Sequence, residues 1–205
     1  HDVEATYDEW RRYKICPECH KTLTNSVERN KILPRSDAAA FRVIGLDAAT
    51  GTTGYSVYDD KKLTSYGTFT TDATKDATAR INELKVWLDQ AIYTWKPDAV
   101  CVENIQLEKN VKMFQTLANL QGVICDYLYE NDIEYILVYS TEWRTYLGLN
   151  RKDDRENAKK KAQDYVQMSC NLKCTQDEAD AICIGRYAVN HIKKKVEDIN
   201  WGESI

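Results

Sequence analysis

Residues 41–58 read FRVIGLDAATGTTGYSVY, and this stretch decides the fold. An apolar run from Phe41 ends in the carboxylate of Asp47, small residues follow as far as Gly54, and a second apolar run begins directly after them. Short apolar runs joined by a Gly- and Thr-rich turn are typical of a β-hairpin. The stretch therefore predicts two antiparallel strands, and the alternating residues 63–70 predict a third strand beside them.

Helices and strands alternate in the rest of the chain. Apolar residues three and four positions apart indicate helices that face a core, and short apolar runs after turn residues indicate strands. In chain order the predicted elements are a helix at 81–95, a strand at 99–103, a helix at 111–128, a strand at 133–139, and helices at 140–147, 155–168 and 175–196. Ser140 is expected to cap the helix that begins there. This order predicts an α/β fold, a mixed five-stranded sheet with helices on both faces.

The length allows one full domain and a small appendage, because the chain has 205 residues and domains usually have roughly 100–200. The polar residues 1–40 predict a small module with a linker, and residues 41–205 predict the main domain. No apolar run approaches the ~18 residues of a membrane helix. Seven cysteines, several inside apolar runs, are typical of buried thiols in a reducing compartment. We therefore expect a cytoplasmic protein.

The charge of the whole chain says little about its partners. The formal net charge is −4, which does not indicate a nucleic-acid partner. Basic residues cluster locally at 151–161 and 193–195. Such clusters are often only the solvated face of a helix. A prediction of DNA binding therefore needs a further observation.

Two of the predicted strands end in an acid. Alternation places Gly45 and Asp47 on one face of the first strand, and Cys101 and Glu103 on one face of the fourth. A carboxylate that finishes an apolar run is costly to desolvate unless it meets a cation or several hydrogen-bond donors. Each of these two acids is therefore expected to have a partner.

The last predicted helix carries three more acids in its first turns. Asp177 and Asp180 are three residues apart and share a face. Thr175 and Glu178 have the spacing of a capping box, in which each side chain accepts a hydrogen bond from the other residue's backbone amide. We assign Glu178 to the cap, which leaves the two aspartates for another role. The structural alternative is that they only stabilise the positive end of the helix dipole.

A mixed sheet can bring Asp47, Glu103, Asp177 and Asp180 to one edge. Clustered carboxylates raise one another's pKa unless divalent cations neutralise them. Hard oxygen ligands select Mg²⁺ or Mn²⁺ rather than zinc. Two such ions ~3.5–4 Å apart provide the chemistry of phosphodiester hydrolysis, because one activates water and the other stabilises the leaving oxygen. The four acids therefore predict a site with two magnesium or manganese ions.

The amino-terminal module contains Cys16 and Cys19 in a Cys-x-x-Cys pair. Such a pair supplies two of the four ligands of a structural zinc site. The only histidines in this module that could add a ligand are His20, next to the pair, and the more distant His1. The other ligands could lie upstream, on a second subunit, or at Cys170 and Cys174, which are disfavoured because their positions suit apolar packing. The alternative is a pair of thiols without metal.

Three segments, in this order, resemble the RuvC-type Holliday-junction resolvases of the ribonuclease H-like superfamily, in particular those of phages and prophages. The segments are IGLDAATGTTGYSVYD at 44–59, PDAVCVENIQ at 97–106 and TQDEADAICIG at 175–185. The resemblance implies a ribonuclease H-like fold with the four acids as the catalytic tetrad. It also implies magnesium-dependent paired nicking of four-way DNA junctions, which leaves 5′-phosphate and 3′-hydroxyl ends.

The resemblance also implies a homodimer, because a four-way junction has two-fold symmetry and needs two cuts. The helix at 111–128 is similar to the family's dimer helix, and ordinary core packing is the alternative use of its apolar residues. Members of the family keep basic residues near the metals. Arg144 is similar to one of these, and Lys152 or Arg155 to a second.

Further DNA contacts are implied just after the fourth strand. Lys109 and Lys112 are candidates to hold phosphates at the junction centre. Bacterial members often have an aromatic residue three positions after the strand glutamate, where it can wedge into the junction. Gln106 occupies that position here. Stacking at the crossover and the sequence preference therefore stay open.

Two other classes of function compete with the nuclease. A catalytically silent module that binds branched DNA would share the fold, but the presence of all four acids disfavours it. Sugar-kinase and actin-type ATPases also have an aspartate followed by a phosphate-binding hairpin, as at 47–54. They need two such domains, which 205 residues cannot hold.

Overall fold

A computed structural model describes residues 40–106, 110–149 and 155–200, with the backbone alone at 155–159 and 193–200. The elements are β1 Arg42–Asp47, β2 Thr52–Asp59, β3 Lys62–Thr70, α1 Ala77–Trp95, β4 Ala99–Glu103, α2 Val111–Glu130, β5 Glu134–Val138, α3 Ser140–Tyr146, α4 Arg155–Cys170 and α5 Gln176–Asn200. The predicted order of strands and helices is confirmed. None of the helices in the described part of the chain could cross a membrane.

The five strands form one mixed sheet in the order β3-β2-β1-β4-β5. The first three strands are antiparallel neighbours, whereas β4 runs parallel to both β1 and β5. In the parallel pair of β1 and β4, Gly45 lies beside Cys101 and Leu46 beside Val102. The next residue of each strand is the acid that ends it. Asp47 and Glu103 are therefore neighbours at the same end of the two central strands.

Each face of the sheet packs against its own helices. On one face Ile44 and Leu46 share a core with Trp87 of α1 and with residues of α2. On the other face Val43 and Cys101 share a core with residues of α3, α4 and α5. Because successive strand residues alternate between faces, Asp47 and Glu103 lie on the face that α5 covers. The structure confirms that alternation places Asp47 and Glu103 on one face of the sheet and that helices cover both faces.

Two glycines let α5 lie close to the sheet. A Cβ atom at Gly54 would clash with the carbonyl oxygen of Asp177, and one at Gly45 would lie 2.5 Å from the backbone nitrogen of Gly185. Either contact is closer than real Cβ atoms approach. The absence of a side chain at Gly45 and Gly54 therefore lets the first turns of α5, from Asp177 to Gly185, lie directly against β1 and β2.

Hydrogen bonds hold α5 in this position. The Ser56 hydroxyl donates to the carbonyl of Ala181 at 2.6 Å, and the Tyr58 hydroxyl donates to that of Ile182 at 3.1 Å. All of these groups are buried, where an unpaired polar atom is costly. The two bonds fix how far α5 can slide along β2, and so they fix the place of its acids.

Of the two predicted helix caps, one is confirmed and the other is wrong. Glu178 accepts a hydrogen bond from the Thr175 amide at 2.7 Å and Thr175 accepts one from the Glu178 amide at 3.3 Å, which confirms the predicted capping box. The prediction that Ser140 caps α3 is wrong, because Ser140 is its first residue and Tyr139 is the N-cap. The Tyr139 amide donates to the Glu142 carboxylate at 2.7 Å, which satisfies the backbone N–H of the N-cap residue.

Candidate active site

The structure brings the four predicted acids together under the first turns of α5. Asp47 ends β1, Glu103 ends β4, and Asp177 and Asp180 lie on α5. Burial raises the pKa of Asp47 well above its usual range, and the negative charges of Glu103, Asp180 and Asp177 raise it further. An interaction of Asp47 with each of the other three means that the four carboxylates share one neighbourhood.

The carboxyl of Glu103 also has a raised pKa. Burial raises its pKa to about 7, and the charge of Asp180 contributes to this rise. Arg144 and Trp143 oppose it. Near neutral pH the carboxyl of Glu103 is therefore divided between its protonated and ionised forms. A cation among these acids would favour the ionised form.

Asp180 is paired with an arginine. Nη2 of Arg144 lies 3.1 Å from Oδ1 of Asp180, and both side chains are largely shielded from solvent. The amide of Gln176 lies 3.4 Å from the other carboxylate oxygen. Because Glu178 forms the helix cap, Asp180 is left for another role, as predicted. In the structure its negative charge is paired with Arg144.

Trp143 supports this arrangement and was missed by the sequence analysis. Its side chain is fully buried, and the Arg144 guanidinium lies over its ring at 4.2 Å from the centroid. Its indole N–H has no well-aligned acceptor in the described part of the chain, yet it lies close enough to Glu103 to lower the pKa of that carboxyl. The sequence signal was its position next to Arg144, where a tryptophan can support a cation.

A cleft of about 260 Å³ opens beside the acids. Asp47 and Glu103 line it together with Met113, Phe114 and Leu117 of α2. The sequence pattern predicts only core or dimer positions for the apolar residues of α2. Helical periodicity shows which face of a helix is apolar, but it does not show where along the helix that face leaves the core.

The predicted DNA-binding residues fall in three groups. Arg144 lies in the site itself. Gln106 and Lys112 are exposed near the cleft, and the amide of Gln106 lies 3.4 Å from the Ser140 hydroxyl. The remaining predicted DNA contacts, Lys109, Lys152 and the side chain of Arg155, lie outside the described residues. The predicted zinc ligands Cys16 and Cys19 also lie outside them.

The donor set fits a hard divalent cation, since all four acids offer carboxylate oxygens. Burial and, after it, mutual repulsion raise the pKa values of Asp47 and Glu103, and a bound cation would offset both effects. Among the described residues, no three His, Cys, Asp or Glu side chains are close enough to form a ready-made ligand set. The two-metal site stays a prediction, and the structure supports it only by bringing the four acids into one neighbourhood.

Known proteins give an independent comparison. The family model described as Crossover junction endodeoxyribonuclease RuvC matches residues 43–191. The RuvC protein of Syntrophomonas wolfei is 36% identical over 87 residues, which cover 40% of this chain and 51% of that protein. The chain thus spans about half the length of that relative. The RuvC protein of Caldicellulosiruptor saccharolyticus is 26% identical over 151 residues, covering 70% of this chain and 89% of that protein.

A solved structure shows the same fold. The structure of T. thermophilus RuvC in complex with Holliday junction substrate matches with a TM-score of 0.62 at 15% identity, covering 75% of this chain and 96% of that one. This likeness confirms the mixed sheet flanked by helices. The predicted phage or prophage origin stays a prediction. Because the family model matches well over half of the chain, from β1 into α5, the chain belongs to the RuvC family of crossover junction endodeoxyribonucleases.

Proposed function

We propose that the protein is a structure-selective endodeoxyribonuclease that resolves four-way or related branched DNA by paired nicks, leaving 5′-phosphate and 3′-hydroxyl ends. One observation carries the proposal. Acids from three separate elements meet in one largely buried place beside an open cleft, although their mutual repulsion makes this arrangement costly. Perturbed carboxyl groups that line a cleft are characteristic of a functional site.

We infer that the four acids together hold two Mg²⁺ or Mn²⁺ ions. When bound, the ions would lower the pKa of an attacking water and stabilise the leaving 3′ oxygen. The chain's own part is to place its carboxylates. Asp47 and Glu103 are fixed by neighbouring strands, and Asp177 and Asp180 by the capped first turns of α5. This frame supports the proposal, because two-ion chemistry needs ligands from a rigid scaffold.

Arg144 has two tasks in this proposal. Without an ion it balances the charge of Asp180 across 3.1 Å. If Asp180 held a cation, the Arg144 guanidinium would be available to donate its planar fork of N–H groups to a phosphate oxygen of the DNA. Trp143 keeps the guanidinium near the site in either case, since the ring lies directly beneath it. Lys112, exposed at the start of α2, is proposed as a second phosphate contact.

The proposed assembly is a homodimer, because two symmetric nicks need two active sites. The α2 helix offers a face for this contact. It buries Leu120, Ile124 and Leu128, while Val111 and Gly122 on the opposite side are exposed. A Cβ atom at Gly122 would meet nothing within 4 Å, so a partner helix could approach closely there. This open side supports the expectation that α2 is the dimer helix.

The proposal is tested by incubating the protein with a synthetic four-way junction and Mg²⁺, beside a linear duplex of the same sequence. We expect symmetric nicks in the junction, ends that DNA ligase seals, and no comparable cutting of the duplex. Asp47→Asn and Asp180→Asn should bind the junction and leave it intact. Wild-type protein that binds junctions but never cuts would favour the silent binding module instead, and turnover of ATP would favour the kinase-like alternative.

A further inference from the structure

The indole N–H of Trp143 is a buried polar group that packing alone does not explain. The side chain is 0% exposed, and its nitrogen has no well-aligned acceptor in the described part of the chain. A buried donor without an acceptor is costly, and phenylalanine would fill most of the same space without that donor. What the N–H does at this position is therefore decided by the groups around it.

The fold places this side chain next to Glu103. In the pairing of β4 with β5, Glu103 lies beside Val138, and α3 begins two residues after Val138. Trp143 is the buried residue of α3, and it packs in the same core as Val138 and Cys101. Cys101 and Glu103 are two positions apart on one strand, so they share a face. The indole N–H also opposes the rise in the pKa of Glu103, as a donor beside that carboxyl does.

The face of the same ring supports Arg144. The guanidinium carbon lies 4.2 Å from the centre of the Trp143 ring, and the guanidinium pairs with Asp180 at 3.1 Å. Asp180 lies on α5, whereas Glu103 ends β4. One side chain thus reaches acids of two separate elements, directly with its N–H and indirectly through Arg144.

We propose that Trp143 is a positioning residue of the candidate active site, whose indole N–H donates to the Glu103 carboxylate and holds it in place for a metal ion. The inference rests on the proposed function. A carboxylate has two oxygens, so one can accept from the indole while the other binds an ion. A hydrogen bond of this kind orients a metal ligand, and its loss typically weakens metal binding by about 10–100-fold.

Mn²⁺ binding to the full chain without DNA tests the inference. Trp143→Phe removes the N–H but keeps an aromatic ring in the core and beside Arg144. We expect it to weaken Mn²⁺ binding about 10-fold or more. Electron paramagnetic resonance measures this, because it counts the free ion.

Trp95→Phe is the matched control. Trp95 is also buried, its indole N–H also has no well-aligned acceptor among the described residues, and it lies in the core on the other face of the sheet. Trp95→Phe should bind Mn²⁺ as wild type does. Urea denaturation should show similar losses of stability for the two variants, which separates positioning from packing.

A double-mutant cycle assigns the effect to Glu103. Glu103→Ala removes the acceptor, so adding Trp143→Phe should weaken Mn²⁺ binding little further. Asp177→Asn leaves the acceptor in place, and with it the effect of Trp143→Phe should multiply in full. Junction cleavage by Trp143→Phe should approach the rate of wild type at saturating Mn²⁺, because the bond acts on metal binding.

A spectroscopic measurement on the unaltered protein keeps the inference testable if Trp143→Phe does not fold. The indole ¹H–¹⁵N resonance of Trp143 is assigned from its nuclear Overhauser contacts. It should shift when Mg²⁺ is added, and the resonance of Trp95 should not. A Trp143 resonance that Mg²⁺ leaves unmoved would overturn the inference.

Two further results would overturn the inference and leave the proposed function intact. The first is a Trp143→Phe protein that binds Mn²⁺ as tightly as wild type. The second is a loss of Mn²⁺ affinity that is just as large in the Glu103→Ala background, since this would assign the effect to Arg144 or to packing. Wild-type protein that neither binds Mn²⁺ nor cuts branched DNA would overturn the proposed function, and the inference with it.

Discussion

Arg144 and Asp180 form an ion pair at 3.1 Å inside the cluster of acids. The pair joins the short helix α3 to the first turns of α5. Arg144 places a positive charge where the carboxylates repel one another, and this charge opposes the rise in the pKa of both Asp47 and Glu103. The balance of charge in the site therefore depends on one arginine whose position is fixed by the ring of Trp143.

We predict that Arg144→Ala slows junction cleavage by about 10- to 100-fold, the scale of losing a side chain that hydrogen-bonds a metal-ligating carboxylate. Arg144→Lys should recover part of the rate, because lysine keeps the charge but not the planar fork. Single-turnover kinetics at saturating Mg²⁺ measures this. Arg186→Ala is the control, since Arg186 bonds the carbonyl of Lys61 instead. Equal rates for wild type and Arg144→Ala would refute the assigned role.

We predict that the metal-free protein loses stability as the pH rises. The pKa of Glu103 is raised to about 7, so the folded state retains a proton that the unfolded chain releases near pH 4.5. This contribution is complete below that pH and is lost as the pH rises to about 7. The expected loss is ~1 kcal/mol or more, which is about 2–4 °C in melting temperature for a domain of this size.

Differential scanning fluorimetry in EDTA between pH 5 and pH 8 measures this loss. Glu103→Gln should flatten the pH dependence, because the amide does not titrate. Addition of Mg²⁺ at pH 8 should restore the melting temperature of wild type more than that of the variant. A metal-free melting temperature that rises steadily over this range would contradict the prediction.

Gly54→Ala should destabilise the fold and displace the acids of α5. The new methyl group would clash with the backbone of Asp177, and overpacking of this kind typically costs ~1–3 kcal/mol. Urea denaturation gives the change in the free energy of unfolding. Gly51→Ala is the matched control, since its Cβ would meet only the end of the flexible Arg80 side chain, at 3.1 Å. A Gly54→Ala protein as stable and active as wild type would show that α5 does not lie this close.

A buried ion pair away from the acids should affect stability without affecting chemistry. Nε of Arg42 lies 2.6 Å from Asp59, and Nη1 donates to the carbonyl of Trp95 at 2.7 Å. Asp59→Ala would leave the guanidinium buried and unpaired, and we expect it to cost ~3–5 kcal/mol. The cleavage rate per folded molecule should stay near that of wild type. A lower cleavage rate in an Asp59→Ala protein with the stability of wild type would mean that the Arg42–Asp59 pair affects the geometry of the active site.

The sequence analysis predicted the frame of the site because the frame depends on local periodicity. Alternation in β1 and β4 places Asp47 and Glu103 on one face, and helical spacing places Asp177 and Asp180 on one side of α5. The Thr175–Glu178 capping box was also predictable, since both partners lie within one turn. All of these features need only a few neighbouring residues.

The features that were missed depend on where elements end in space. Met113 has the phase of a core residue, yet it is largely exposed and lines the cleft. Trp143 reads as an apolar residue of a short helix, and its place beneath Arg144 and beside Glu103 follows from how α3 packs. The cap of α3 was misplaced by one residue, because the helix already begins at Ser140 and the N-cap is Tyr139, whose amide donates to the Glu142 carboxylate.

The central claim is that four acids form one metal-dependent centre. It is tested most directly by single-turnover junction cleavage titrated with Mn²⁺ for the amide variants of Asp47, Glu103, Asp177 and Asp180. Each variant should lose activity or need far more Mn²⁺, whereas Glu178→Gln, which keeps the helix cap, should behave as wild type. The account would be contradicted if the strand variants lost activity while both helix variants cut junctions with the Mn²⁺ dependence of wild type.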